Sequence, residues 1–310
     1  SVLVAVGTRQ TATGTQGVSF RSVDGGATWV AAGTVPPTPP GTVALESVAN
    51  DGAGRWVAGG ATNGTVSPWG LYYSDDDGST WTPAAGQGLP MTVQIHDVAE
   101  RPGTTTGWVA VGSARRIGPP VALTLSSGTG ASWGPPATLG TSRALSLRAV
   151  AIDPAGGAVA VGASRATTAG PADDAPLILR RGAGAGTFSL SQAQYLANTA
   201  FGGLNDVAID PAGATLLVGT RSVGTGTAAV AYRLPASSTA PLANLSAGLP
   251  ATIEALEGIA TDGSGTWVAV GGNQGAVTRT VDLGATWSPE VLTAPGPKAR
   301  RRLFGITFAA

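Results

Sequence analysis

The chain has 310 residues, 43% of them hydrophobic and only 12% charged, with 18 basic and 18 acidic side chains and a formal net charge of zero. That balance supplies no basic field for nucleic acid. The absence of cysteine excludes disulfides, thiolate zinc sites and thiol catalysis, and a single histidine, His96, excludes a His-rich metal site on one chain.

Taken in order, the chain repeats one phrase. Val-Ala-Val-Gly or a close relative ends at Gly7, Gly60, Gly112, Gly162, Gly219 and Gly271, at spacings of 50 to 57 residues, which is the signature of a repeat architecture. Ser1 to Val6 reads as the second strand of a unit whose first strand is missing. Opening strands of the form (Leu/Ile)-x-x-(Val/Ile)-(Ala/Thr) then start at Leu45, Ile95, Leu147, Leu204, Leu256 and Leu303. Tight turns follow, Asp-Gly-x-Gly at Asp51 and Asp262 and Asp-Pro-Ala-Gly at Asp153 and Asp210. Second strands come next, fullest at Trp56, Trp108 and Trp267, then a variable loop, a third strand, a turn and a fourth strand.

Short strands without helical periodicity predict an all-β protein. Four strands per unit predict a six-bladed β-propeller of four-stranded antiparallel blades. Leu303 to Phe308 has no second strand after it, so the N- and C-terminal strands are expected to pair in one blade and close the ring. The expectation is a single domain over 1–310, with blades at about 303–310 plus 1–40, 41–90, 91–143, 144–202, 203–251 and 252–302. No uninterrupted apolar run reaches the roughly 18 residues of a membrane span, so no membrane insertion is expected.

The turn before the fourth strand carries a further motif. Ser22 to Trp29 and Ser74 to Trp81 both read S-x-D-x-G-x-T-W, and Thr280 to Trp287 differs only by Thr for Ser. Ser126 to Trp133 is a degenerate copy with Gly128 in place of Asp, and Arg181 to Phe188 keeps only Thr187 and an aromatic. This resembles the Asp-box, or BNR, repeat of propellers such as sialidases, sortilin-type receptors and photosystem assembly factors. The box carboxylates Asp24, Asp76 and Asp282 are read as structural, accepting N–H bonds across their own turns while glycine takes positive φ. No metal site and no cofactor are expected, since the D-x-D-x-D-G spacing of a calcium loop is absent.

Seven of the eight tryptophans hold repeat positions and are expected in the core, leaving Trp69 as either a ligand-stacking platform or a loop-packing residue. Tracing a blade puts the boxes and Asp-Gly turns on one face, called the bottom, with many acids against only Arg55 and Arg101. The other face, the top, receives Arg9, Arg115, Arg165 and Arg221, which recur two or three residues after the repeat glycine. Guanidinium forks converging there would suit an anion, although arginine is also simply the common cation of this chain. The second position of each opening strand forms another ring at the channel mouth, Glu46, His96, Arg148, Asn205, Glu257 and Phe304, which varies while its neighbours repeat.

The resemblance implies two functions. One is a non-enzymatic binding or scaffold propeller, secreted, periplasmic or on the cell surface after signal removal, offering a basic top and an acidic bottom to a protein or glycan partner or, axially, to its own copies. The other is a sialidase-like glycoside hydrolase acting on an acidic sugar. The second lacks an Arg-Ile-Pro segment and a tyrosine on the channel ring, with only Tyr72 and Tyr73 near the rim.

Overall fold

The computed structural model describes residues 2–12, 14–32, 35, 43–62, 70–86, 92–101, 107–115, 121–139, 143–166, 175–183, 188, 194–195, 202–235, 242–272 and 275–290. Within them the chain is β-structure throughout, apart from one 3-10 turn at Ser246–Gly248. Five antiparallel meanders of four strands follow one another. Sheet B is Val43–Asn50, Trp56–Thr62, Leu71–Ser74 and Thr82–Pro83, and sheet C is Thr92–Glu100, Trp108–Arg115, Val121–Ser127 and Ala137–Leu139. Sheet D is Arg143–Ile152, Ala158–Ala166, Ala175–Arg181 and Gln194–Tyr195. Sheet E is Gly202–Ile209, Thr215–Val223, Gly226–Leu234 and Ala243–Asn244, and sheet F is Gly258–Thr261, Trp267–Gly271, Ala276–Thr280 and Ser288–Glu290. Sheet A precedes them with three strands, Leu3–Thr11, Gly14–Ser22 and Val30–Ala31.

The first strands of sheets B to F touch one another in chain order, so each sheet turns its opening strand inward, and sheet A packs on sheet B. A single pair, Ala61 with Gln94, joins sheets B and C at their inner edges. The core lies between successive sheets. Val57, Leu71, Ile95, Trp108 and Leu123 fill the B–C gap, and Val161, Ile178, Leu204 and Leu217 the D–E gap.

One physical constraint explains the repeat glycine. The inner strands of sheets B to E each carry a bulge, with the register slipping at Leu45/Ser47, Leu147/Ala149 and Leu204/Asp206, and opposite Val111/Gly112 in sheet C. At the slip the inner backbone presses against the second strand. A Cβ on Gly60, Gly112, Gly162 or Gly219 would lie 1.8, 2.0, 2.0 or 2.2 Å from a carbonyl oxygen of the inner strand. Only glycine admits that approach.

Sheet A departs from the pattern. Phe20 holds the register position of the buried Tyr72, Leu125, Leu179, Tyr232 and Thr278, yet is 43% exposed. Trp29 is 44% exposed while Trp81, Trp133 and Trp287 are buried, which corrects the expectation that every box tryptophan is core. The reason is positional: each box tryptophan packs back on the preceding sheet, as Trp81 does when its Nε1 donates to Ser19 Oγ at 3.0 Å. Among the described residues nothing precedes sheet A. The segment 303–308 expected to complete it lies outside the described residues.

Candidate functional site

The box turns share one geometry. Ser22, Ser74 and Thr280 donate their hydroxyls to Asp24, Asp76 and Asp282 at 2.7 Å each, and the same hydroxyls accept the N–H of Gly26, Gly78 and Gly284 at 2.8, 2.8 and 3.0 Å. The second half of each turn closes through the N–H of Thr28, Thr80 and Thr286, which donate to the carboxylates at 2.9, 2.8 and 2.9 Å. Hydrogen bonds from Thr28 and Ser22 pull Asp24 well below the ordinary carboxylate range, and those from Thr286 and Thr280 hold Asp282 at about 2. For Asp76 burial is the largest influence and works upward, but its Thr80, Ser74 and Ser79 bonds together still leave it lowered.

Strand pairing corrects the register of the degenerate copy. Ser127, not Ser126, stands opposite Trp108 as Ser74 stands opposite Trp56, so this turn is one residue shorter. Ser127 Oγ accepts the N–H of Thr129 and Gly130 at 3.1 and 2.7 Å and needs no Asp.

These carboxylates are therefore engaged in their own turns. Asp76→Ala and Asp282→Ala are expected to lower the melting temperature by a few degrees and to leave any ligand affinity unchanged, measured by thermal unfolding beside a binding titration. Loss of binding at an unchanged melting temperature would overturn this assignment.

Charge at the box end is more mixed than the sequence suggests. Arg180, Arg233 and Arg279 each stand one residue before the end of the third strand of sheets D, E and F, Arg21 stands one residue before the end of the second strand of sheet A, and Arg181 ends the third strand of sheet D. Arg21 Nε donates to Asp77 O at 2.9 Å, and Arg55 Nε to Asp75 at 2.6 Å while its Nη1 reaches Thr129 O in the next sheet. The expected acidic bottom is thus partly neutralised by arginines that strand alternation brings to the same edge.

The central ring is built by the bulges. Glu46, His96, Arg148 and Asn205 are the extra residues at the register slips, which is why their side chains leave the sheet plane and escape the packing rules of their neighbours. They stand about half-way along the inner strands. Glu46 accepts from Gln94 Nε2 at 2.7 Å and faces His96 Nδ1 at 2.9 Å, and His96 Nε2 lies 3.5 Å from Ser113 Oγ. Arg148 Nη1 donates to Asn205 Oδ1, and Asn205 Nδ2 donates to Leu256 O at 2.9 Å and Thr220 Oγ1 at 3.2 Å. Glu257 is half-buried beside them, its N–H bonded to Val270 O. Phe304 lies outside the described residues.

One residue further along stand Asp97 and Asp206, which sequence reasoning passed over. Asp97 accepts Ser47 Oγ at 2.6 Å, its neighbour's N–H at Val98 and, through the other oxygen, Val150 N–H of sheet D at 2.8 Å. Asp206 accepts Val207 N–H and, from sheet F, Ile259 N–H, both at 2.8 Å. Both side chains are half-buried. Burial pushes Asp97 up to about 6 against the Ser47 and backbone bonds, and burial with the nearby Asp97 charge pushes Asp206 up to about 8. The sequence signal was an acid inside an otherwise apolar inner strand, Ile-His-Asp-Val-Ala and Leu-Asn-Asp-Val-Ala.

The expected arginine ring is not brought to one register. Arg9 pairs with Gln16 and donates to its side chain at 2.7 Å, and Arg221 is exposed opposite Gly202. Arg115 ends its second strand opposite Thr92 and Arg165 stands opposite Ala144 one residue before the end of its own, each one residue further past the repeat glycine than the other two. Trp69 lies outside the described residues. Tyr72 is buried in the core, and Tyr73 lies with its ring 5.6 Å from the Arg55 guanidinium at the box end. Among the described residues no group of three or more metal-ligating side chains comes together, and no helix is long and apolar enough to cross a membrane.

Comparison with protein-family models found no match, and neither did comparison with curated proteins. Solved structures do match. YCF48 bound to D1 peptide aligns with a TM-score of 0.53 at 16% identity, over 92% of this chain and 77% of that one. A protein of unknown function from Dyadobacter fermentans DSM 18053 aligns with a TM-score of 0.54 at 17% identity, over 93% and 89%. Penicillium chrysogenum alpha-L-arabinanase complexed with arabinobiose aligns with a TM-score of 0.47 at 16% identity, over 89% and 92%. Inward-facing antiparallel meanders, together with the likeness to YCF48 and to the Dyadobacter protein, give the chain the β-propeller fold, and three of its turns share the hydrogen bonding of the Asp-box motif.

Proposed function

We propose that the chain is a non-enzymatic binding propeller of six blades, secreted, periplasmic or cell-surface, that takes a protein or glycan partner from the end of its channel opposite the box turns. The observation that carries this reading is the set of bulge residues: polar side chains of differing character, one in each of sheets B to E, set out of the strand register. Carboxylate, imidazole, guanidinium and amide placed side by side can both donate to and accept from a peptide or sugar. YCF48, solved with a D1 peptide, is a protein of the same fold with a peptide partner. The core position of Tyr72 and the box-end position of Tyr73 weigh against a sialidase-like nucleophile at the channel.

The test is binding of immobilised acidic glycans and carboxylate-terminated peptides to the wild type, Glu46→Gln and Arg148→Gln. Affinity that falls about tenfold or more in the ring variants, with the Asp76→Ala control unaffected, is the expected result. Turnover of a fluorogenic sialoside by the wild type, or equal binding by all variants, would overturn it.

A further inference from the structure

The chain holds one histidine, and the bulge of sheet C sets it between a carboxylate and a hydroxyl. His96 Nδ1 faces Glu46 Oε2 of sheet B at 2.9 Å, and His96 Nε2 faces Ser113 Oγ at 3.5 Å. Ser113 stands on the second strand of sheet C, directly after the repeat glycine Gly112 and opposite Gln94. Gln94 Nε2 donates to the other oxygen of Glu46 at 2.7 Å, so the carboxylate is held from two sides. The neighbouring Asp97 is tied to Ser47 Oγ and to the N–H groups of Val98 and Val150, so it is Glu46 that orients the imidazole.

This order of groups fixes the tautomer. An ionised carboxylate only accepts hydrogen bonds, so the neutral imidazole carries its proton on Nδ1 and turns the lone pair of Nε2 to the Ser113 hydroxyl. A hydroxyl, a base and a carboxylate that orients the base make up a nucleophilic triad, which is recognised by geometry and not by sequence order. The 3.5 Å separation is long, as nucleophile–base pairs are before a substrate draws them together. Sheet E supplies the internal contrast. There the hydroxyl after the repeat glycine, Thr220 Oγ1, accepts from Asn205 Nδ2 at 3.2 Å, so the same two positions meet, but around an amide that is no base. All three groups of sheets B and C reach solvent: His96 and Glu46 keep 20% and 32% of their side-chain surface, and Ser113 is half-buried.

We infer that Ser113 is an activated nucleophile that takes an acyl group from a small ester, with His96 as general base and Glu46 as its positioning residue. This covalent reactivity goes beyond partner binding and does not rest on it. Ser113 Oγ bonds to the carbonyl carbon as its proton passes to His96 Nε2. The bond from that carbon to the alcohol oxygen then breaks, and the departing oxygen takes the proton from Nε2. The products are an ester on Ser113 and the free alcohol, with no change of oxidation state. A general base in this position accelerates attack by about 100- to 10,000-fold over an ordinary serine.

The experiment treats the full chain with p-nitrophenyl acetate and with a fluorophosphonate probe, reads p-nitrophenolate release and locates the adduct by peptide mass spectrometry. An acetyl or phosphonyl group on Ser113 is expected, above the background of the urea-unfolded chain. Ser113→Ala should lose the adduct, and His96→Gln should slow its formation at least about a hundredfold at an unchanged melting temperature. The wild-type rate should rise with pH as the imidazole loses its proton and then level off, a step absent from His96→Gln. Glu46→Gln, which can present an N–H to the imidazole and reverse the tautomer, should slow acylation about tenfold or more while Ser113 stays the site. A wild type without an adduct on Ser113, or equal rates in wild type and His96→Gln, would overturn the inference.

Discussion

Gly112→Ala is expected to cost at least about 3 kcal/mol of folding stability, because the added carbon meets backbone and has nowhere to go. Its Cβ would stand 2.0 Å from Gln94 O and 3.0 Å from Ile95 Cα, so relief requires moving the inner strand of sheet C together with its bulge and His96. Gly162→Ala, 2.0 Å from Ser146 O, should behave alike. Gly7 is the informative counterpart, since it holds the same repeat position but meets nothing within 4 Å among the described residues. If Leu303 to Phe308 pairs with the strand at Val2 to Val6 and closes the ring, Gly7→Ala becomes as damaging as Gly112→Ala in the full chain. After deletion of residues 303–310 it becomes neutral. Urea denaturation of these variants separates the cases: a tolerated Gly112→Ala would refute the bulge constraint, and a harmless Gly7→Ala in the full chain would refute closure by that segment.

The same glycines explain why so much of the fold was legible in the sequence. A close approach that only glycine admits, once per unit, writes itself into the chain as a period, and the box turn does so again through Ser, Asp, Gly and Thr, each tied to a specific hydrogen bond. Positions under no such constraint were legible only as variation. The Glu46 to Asn205 ring was visible because it changed while its neighbours did not, but its lateral pairing and its depth were not, since both follow from bulges whose register depends on the neighbouring strand. Asp97 and Asp206 were missed for the same reason. An acid in an apolar strand is a local contradiction, and the donors that resolve it, Val150 N–H and Ile259 N–H, come from 53 residues away. Arg21, Arg180, Arg233 and Arg279 went unassigned because their distance from the strand end could not be counted without the pairing.

Stability should fall as pH rises from about 6 to about 8, and Asp206→Asn should remove most of that slope. The sign follows from proton binding. Asp206 holds its proton in the folded protein up to about 8, whereas an unfolded aspartate releases it near 3.8, so between these values folding takes up a proton. The contribution is complete below the unfolded value and is lost as pH passes the folded one, with a maximal slope of about 1.4 kcal/mol per pH unit for one proton. Asp97, raised to about 6, adds a second proton below that pH and little above it. Glu100, which burial and Asp51 push up to about 7, acts with the same sign but from a more exposed position, where solvent screens it. Its share cancels when wild type and variant are compared. Asn at 206 cannot accept both Val207 N–H and Ile259 N–H, so the variant carries a constant penalty of about 1 to 3 kcal/mol for one unpaired donor. The slope, not the offset, is therefore the readout. Asp282 and Asp262, held near 2 by their turns, contribute oppositely, with stability present above about 3.8 and lost as pH falls through their folded values, which confines them to the acid limb. Urea midpoints at half-unit intervals from pH 6 to pH 8 should converge for wild type and Asp206→Asn toward the alkaline end and diverge toward pH 6. Parallel curves would show that Asp206 is already ionised in the folded protein at pH 6.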